Sequence, residues 1–158
     1  MKISNDQFKI DDKSILNYYE IKSNKPKLLL LHAQGTNSLS FMSVIDKLSK
    51  HFHIYLVDYY GHGKSSFNRE KYNLIDIGND IIKFIEEVIK DNVSVLGHSS
   101  GGLIASYIAS NCELCSGLIL EDPPFFSSVG DRRFNTYNYV DLSTVCHNFI
   151  SFLYKYSP

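Results

Sequence analysis

Gly97-His98-Ser99-Ser100-Gly101 is the run of this chain best suited to chemistry, a serine hydroxyl set between two glycines at the spacing G-x-S-x-G. Val93-Ser94-Val95-Leu96 precedes it, an apolar β-branched run that reads as a buried strand. Leu103-Ile104-Ala105-Ser106-Tyr107-Ile108-Ala109 follows, with apolar and small residues at helical spacing. Strand, tight turn and helix form the setting in which this motif lifts a serine above the sheet edge as a nucleophile. Gly97 and Gly101 lack a Cβ, so strand and helix can approach closely around a strained turn at Ser99. The helix would aim unpaired N–H groups and partial positive charge at the place where an oxyanion forms. A plain Gly/Ser turn between two buried elements is the alternative, and the flanking strand and helix favour the nucleophile.

The elements needed to hold such a turn are legible on both sides of it. Residues 7–10 and 15–21 alternate apolar and polar side chains around Asp11-Asp12-Lys13-Ser14, a hairpin signal. Lys27-Leu28-Leu29-Leu30-Leu31-His32 and His53-Ile54-Tyr55-Leu56-Val57-Asp58 read as strands buried on both faces. Between them, Phe41, Val44, Ile45 and Leu48 mark one face of a helix. A longer helix is expected to bury Leu74, Ile77, Ile81, Phe84, Ile85 and Val88. Gly117-Leu118-Ile119-Leu120-Glu121 reads as one more buried strand, and residues 141–156 as an amphipathic helix with no strand after it. This alternation predicts the α/β class: a mostly parallel sheet, led in by an antiparallel hairpin and covered by helices on both faces. Domain limits are expected at 1–130 for the core and 131–158 for a helical tail.

Composition narrows the function. The chain of 158 residues is 44% hydrophobic and 21% charged, as in an ordinary globular domain, and its formal net charge is −1. Such a balance gives no basic field for nucleic acid or an anionic membrane. No apolar run approaches the ~20 residues of a membrane span, and the first residues do not form a signal peptide, so the cytoplasm is expected. The three cysteines cannot all pair, which fits a reducing compartment. Cys112 and Cys115 have C-x-x-C spacing but close a helix rather than open one, and further zinc ligands are not evident nearby. They read as structural thiols, and no metal site is expected.

Two nucleotide motifs fail on inspection. Gly61-His62-Gly63-Lys64-Ser65 contains Gly-Lys-Ser, but the first glycine of G-x-x-x-x-G-K-[ST] would fall at Asp58. No helical periodicity begins at Lys64, where a phosphate would need a helix N-terminus. The third glycine of G-x-G-x-x-G would fall at Ser66. No cofactor is expected.

Three motifs in order resemble the α/β-hydrolase family. Leu30-Leu31-His32-Ala33-Gln34-Gly35 looks like its strand and His-Gly oxyanion loop, with Ala33 where a glycine is usual. Asp58-Tyr59-Tyr60-Gly61-His62-Gly63-Lys64-Ser65 is similar to its D-x-x-G-x-G-x-S loop, and residues 97–101 to its elbow. The resemblance covers nearly all of residues 1–130 and implies the family's fold without its last two strands, the tail being the start of a cap. It implies Ser99 as nucleophile, with the backbone N–H groups of Ser100 and Gln34 as oxyanion donors. A serine here also argues against the branches that attack with aspartate. The implied reaction is hydrolysis of an ester or similar acyl bond in a small molecule.

The family's triad runs Ser, then acid, then His. After Ser99 the one histidine is His147, on the tail helix. Glu121 and Asp122 end the strand beside the elbow, where some members take the acid. His98 should face away from the nucleophile, and His32 and His62 read as loop supports. A serine site without its histidine keeps only about 10³–10⁴ over water. A truncated product, a piece of a longer enzyme and a chain completed by a partner all fit, as does a non-catalytic module. The strand at 117–121 would then present an open edge, so self-association or a partner strand is expected.

Overall fold

A computed structural model of the chain describes residues 2–70 and 72–124. Six strands form one sheet: β1 (Ser4–Lys9), β2 (Ile15–Ile21), β3 (Lys27–Leu31), β4 (His53–Asp58), β5 (Val93–His98) and β6 (Cys115–Glu121). Their order across the sheet is β1-β2-β4-β3-β5-β6. β1 with β2 and β2 with β4 pair antiparallel, and the remaining pairs are parallel. The mixed sheet with its leading hairpin is the architecture expected from the alternation of patterns. The first compact unit is Met1–Pro123. The expected boundary at 130, the tail helix and His147 lie outside the described residues.

The leucine run explains why the sheet sits at the centre. Successive side chains of β3 point to opposite faces. Leu29 and Leu31 join Tyr55, Val57, Val95 and the helices α2 (Leu74–Phe84) and α3 (Ser100–Asn111) on one side. Leu28 and Leu30 join Ile21, Ile54, Leu56, Phe41 of a 3₁₀ turn (Ser38–Phe41) and Ile45 of α1 (Met42–Leu48) on the other. All four leucines are at most 1% exposed. At about 1.5–3 kcal/mol for each fully buried leucine, this strand is a main anchor of both cores.

Three of the expected contacts differ. Val44 and Leu74 are exposed, so the buried faces of α1 and α2 are narrower than their apolar residues suggest. After Phe84 the backbone passes into a π turn over Ile85–Ile89. Widening the turn rotates later side chains relative to the α-helix, so Ile89 becomes buried while Val88 is only partly buried against the same core.

The third correction concerns β6, which is not a buried strand. Among the described residues it has no neighbour on its outer side, and Leu118, Ile119 and Leu120 are 41%, 46% and 37% exposed. Adjacent strand residues face opposite ways, so both faces of this edge are apolar and open. Such an edge recruits further strands. Sedimentation velocity over a concentration series is expected to show self-association that Leu118→Lys suppresses. A compact monomer at high micromolar concentration, unfolding cooperatively, would show instead that the edge is protected.

Candidate active site

The turn at Ser99 is built by contact between backbones. Ser99 has φ 53° and ψ −120°, a strained conformation for a residue with a Cβ. Its N–H donates to the Glu121 carbonyl at 2.8 Å, and its own carbonyl accepts from Gly102 N–H at 2.8 Å. A Cβ on Gly97 would run into the Gly101 carbonyl and lie 2.6 Å from Gly102 Cα. A Cβ on Gly101 would strike the Leu31 carbonyl and lie 2.5 Å from that of His32. The first turn of α3 therefore rests directly on the ends of β5 and β3. Ser99 stays half-buried at the helix start, while Ser100 is buried behind it.

The loop after β3 is tied down at each residue. His32 Nδ1 donates to the Ala33 carbonyl at 2.8 Å, Thr36 Oγ1 donates to the same carbonyl at 2.7 Å, and Thr36 N–H reaches it at 3.2 Å. Gly35 N–H donates to His62 Nε2 at 3.2 Å. Gln34 N–H donates to Ser100 Oγ at 2.6 Å. Gln34 and Ser100 are thus brought together through the Ser100 side chain, which engages the Gln34 amide. His32 and His62 hold the loop.

Beneath the loop lies a stack of rings. His32 and Tyr59 are parallel at 4.0 Å, and His62 tilts against both, at 5.2 Å and 4.4 Å. Burial drives the His32 imidazole down to about 4 and lowers that of His62. Burial pushes the Tyr59 phenol up to about 12. All three rings are therefore neutral at pH 7. With Nδ1 donating, His32 Nε2 carries a lone pair, and it is buried with no partner among the described residues.

The described residues bring no base to Ser99. No side chain among them hydrogen-bonds its hydroxyl, and neither His98 nor any other described histidine is joined to it. Glu121 and Asp122 are exposed, and Asp122 sits at φ 48°. No cluster of three or more metal-ligating side chains occurs among the described residues. The Gly-Lys-Ser run lies in a loop, and the next helix begins only at Leu74.

Asp58 and Tyr59 are the site residues that the sequence left without a role. Asp58, 2% exposed, accepts from Asn17 Nδ2 at 3.0 Å, Ser38 N–H at 2.8 Å and Lys64 N–H at 3.0 Å. Its own carbonyl accepts from the Ser65 hydroxyl, whose oxygen takes Asn17 N–H at 2.8 Å. A buried aspartate at a strand end, followed by two glycines and a serine, was the available signal.

A family model described as alpha/beta hydrolase fold matches residues 26–143. A Haemophilus influenzae protein whose name carries the words esterase/lipase is 33% identical over 124 residues, covering 75% of this chain and 43% of that one. A pimeloyl-[acyl-carrier protein] methyl ester esterase of Yersinia pseudotuberculosis is 34% identical over 115 residues, covering 72% and 43%. A solved hydrolase from Pseudomonas aeruginosa superposes with a TM-score of 0.71 at 25% identity, covering 75% and 46%. The chain spans less than half the length of these relatives. It belongs to the α/β-hydrolase family.

The buried His32 makes stability depend on pH. Folded, it titrates at about 4, against an ordinary value of 6.5. Between those values the unfolded chain holds more protons, so stability is full above about pH 6.5 and is lost as pH falls towards 4. The loss from this group reaches about 3 kcal/mol. Urea unfolding at pH 7 and 4.5 is expected to show a steeper decline for the native chain than for His32→Gln. An imidazole NMR titration with a His32 midpoint near 6.5 would contradict it.

Proposed function

We propose that this chain carries the nucleophile and oxyanion half of a serine hydrolase that cleaves an ester or similar acyl bond in a small molecule. Ser99 is the nucleophile, the backbone N–H of Ser100 is an oxyanion donor beside it, and the Gln34 N–H reaches the site through Ser100 Oγ, which it engages at 2.6 Å. The observation that carries this reading is the left-handed turn at Ser99, held by the Gly97–Gly101 contact at the start of α3. Strain at one residue, in an otherwise relaxed strand-to-helix connection, is what a projecting nucleophile needs. Relatives named as esterases support the acyl substrate class.

In this reading Ser99 Oγ attacks the acyl carbon and the carbonyl oxygen gains the electron pair of the broken π bond. The α3 N-terminus and nearby N–H groups face that charge. A base must take the Ser99 proton, and it comes from outside the described residues. No helix among the described residues is long and apolar enough to cross a membrane. The free thiols of Cys112 and Cys115 support a reducing compartment, the cytoplasm.

A fluorophosphonate probe with and without added imidazole tests this. The chain alone is expected to label at a rate close to that of Ser99→Ala, because an unactivated serine is a weak nucleophile. Imidazole supplies the base, and labelling should rise about tenfold or more in the native chain only. Labelling that ignores Ser99→Ala would reject the nucleophile and favour a non-catalytic module. Fast labelling that needs Ser99 but survives His147→Ala without imidazole would place a base elsewhere in the chain.

A further inference from the structure

Two groups of the site converge on the Ser100 hydroxyl. Its oxygen takes Gln34 N–H at 2.6 Å and lies 3.2 Å from Tyr59 Oη. A serine hydroxyl has one proton and two acceptor lone pairs. The amide of Gln34 can only donate, so one lone pair is filled.

The direction of the Tyr59 contact follows from burial. Tyr59 is 2% exposed, its ring is stacked on His32, and Ser100 is its one hydrogen-bond partner among the described residues. Were Ser100 the donor, the Tyr59 proton would be stranded, and it lies deeper in the core than the Ser100 hydroxyl, Tyr59 being 2% exposed and Ser100 7%. Tyr59 therefore donates and fills the second lone pair. The proton of Ser100 is then left over, and no acceptor for it occurs among the described residues. A buried hydroxyl that accepts two hydrogen bonds is also a stronger donor, since each polarises its O–H bond.

We propose that the Ser100 hydroxyl is itself an oxyanion donor, so that Ser100 serves the developing charge through both its backbone N–H and its side chain. Gln34 and Tyr59 are positioning residues that act through it. This rests on Ser99 as nucleophile. No bond to Ser100 forms or breaks: its proton is shared with the carbonyl oxygen while that oxygen holds the electron pair of the π bond. Ser100 keeps the proton when the carbonyl re-forms and the alcohol or other leaving group departs. The Gln34 amide, already engaged, contributes by polarising the hydroxyl.

The test uses the 158-residue chain and two measurements. In imidazole-supported fluorophosphonate labelling, Ser100→Ala is expected to slow the Ser99-dependent rate roughly 10–100-fold, whereas Ser100→Thr, which keeps the hydroxyl, stays within about threefold. Butyrate, a carboxylate probe that needs no nucleophile, is then titrated against a Ser99→Ala background and followed by the Ser100 and Gln34 amide NMR shifts. Adding Ser100→Ala should weaken binding about tenfold, and Ser100→Thr should restore it. A mere brace would alter the melting temperature without this threonine-rescued change in affinity. Equal labelling rates for Ser100→Ala and the native chain, or butyrate affinity indifferent to Ser100 or undetectable in both backgrounds, would overturn the proposal. Labelling that does not depend on Ser99 would instead reject the nucleophile, a distinct result.

Discussion

The contact between the start of α3 and the ends of β3 and β5 is the constraint from which the site follows. Two backbones meet there without side chains between them, because a Cβ at Gly97 or Gly101 would collide with carbonyl groups. That proximity forces the chain to reverse within Ser99, and the reversal puts its φ at 53°. It also lowers α3 onto the sheet, so Ser100 is buried against the loop after β3 rather than exposed on a helix surface. Remove the close approach and Ser99 relaxes, Ser100 withdraws from Gln34, and the Tyr59 phenol loses its partner. Strain, burial and hydrogen bonding at the site are three consequences of one packing decision.

The loops around the elbow are held by buried polar groups as well as by apolar packing. Asp58 gathers the ends of three segments: β2 through Asn17, the 3₁₀ turn through Ser38, and the glycine loop through Lys64. A buried carboxylate is costly unless its lone pairs are filled, and here charge-assisted bonds to two backbone amides fill them. A second anchor lies further along: Arg69 makes a two-pronged ion pair with Asp80 at 2.6 and 2.9 Å while covering the Tyr60 ring at 4.0 Å. The glycine loop thus stays in register with α2, and Tyr59 and Tyr60 at its start are buried in the core.

How much of this was legible depended on sequence distance. The elbow is local: strand, glycines and helix follow one another within about twenty residues, so pattern alone locates Ser99. The doubly buried β3 announces itself as an unbroken leucine run. Ser100 is different, because its partners lie 66 and 41 residues away, and nothing in Gly-His-Ser-Ser-Gly says which hydroxyl will meet a tyrosine. Asp58 was visible as part of a motif, yet its function as a hub needs Asn17, 41 residues earlier. At β6 the pattern misled, since Leu118-Ile119-Leu120 reads the same whether a neighbour covers the strand or not. The π turn at Ile85–Ile89 is likewise silent in the sequence, and it brings Ile89 into the core beside a partly buried Val88.

The electrostatic character of the site connects these observations to reaction chemistry. His32, Tyr59 and His62 are all held neutral by burial, so these rings put no cation beneath the loop after β3. In the proposed reaction, negative charge forming there would meet oriented dipoles among the described residues: the α3 N-terminus, backbone amides and the Ser100 hydroxyl. Dipoles fixed before reaction cost no reorganisation when charge appears. They also attract a neutral carbonyl far less than an alkoxide, which places their effect on the barrier rather than on substrate affinity. A lysine or arginine in the same place would bind any anion, including the carboxylate product, in the ground state. The ring stack therefore does more than brace a loop. It fills the space under Ser100 with neutral, buried groups, so that fixed dipoles rather than a formal charge face the proposed nucleophile.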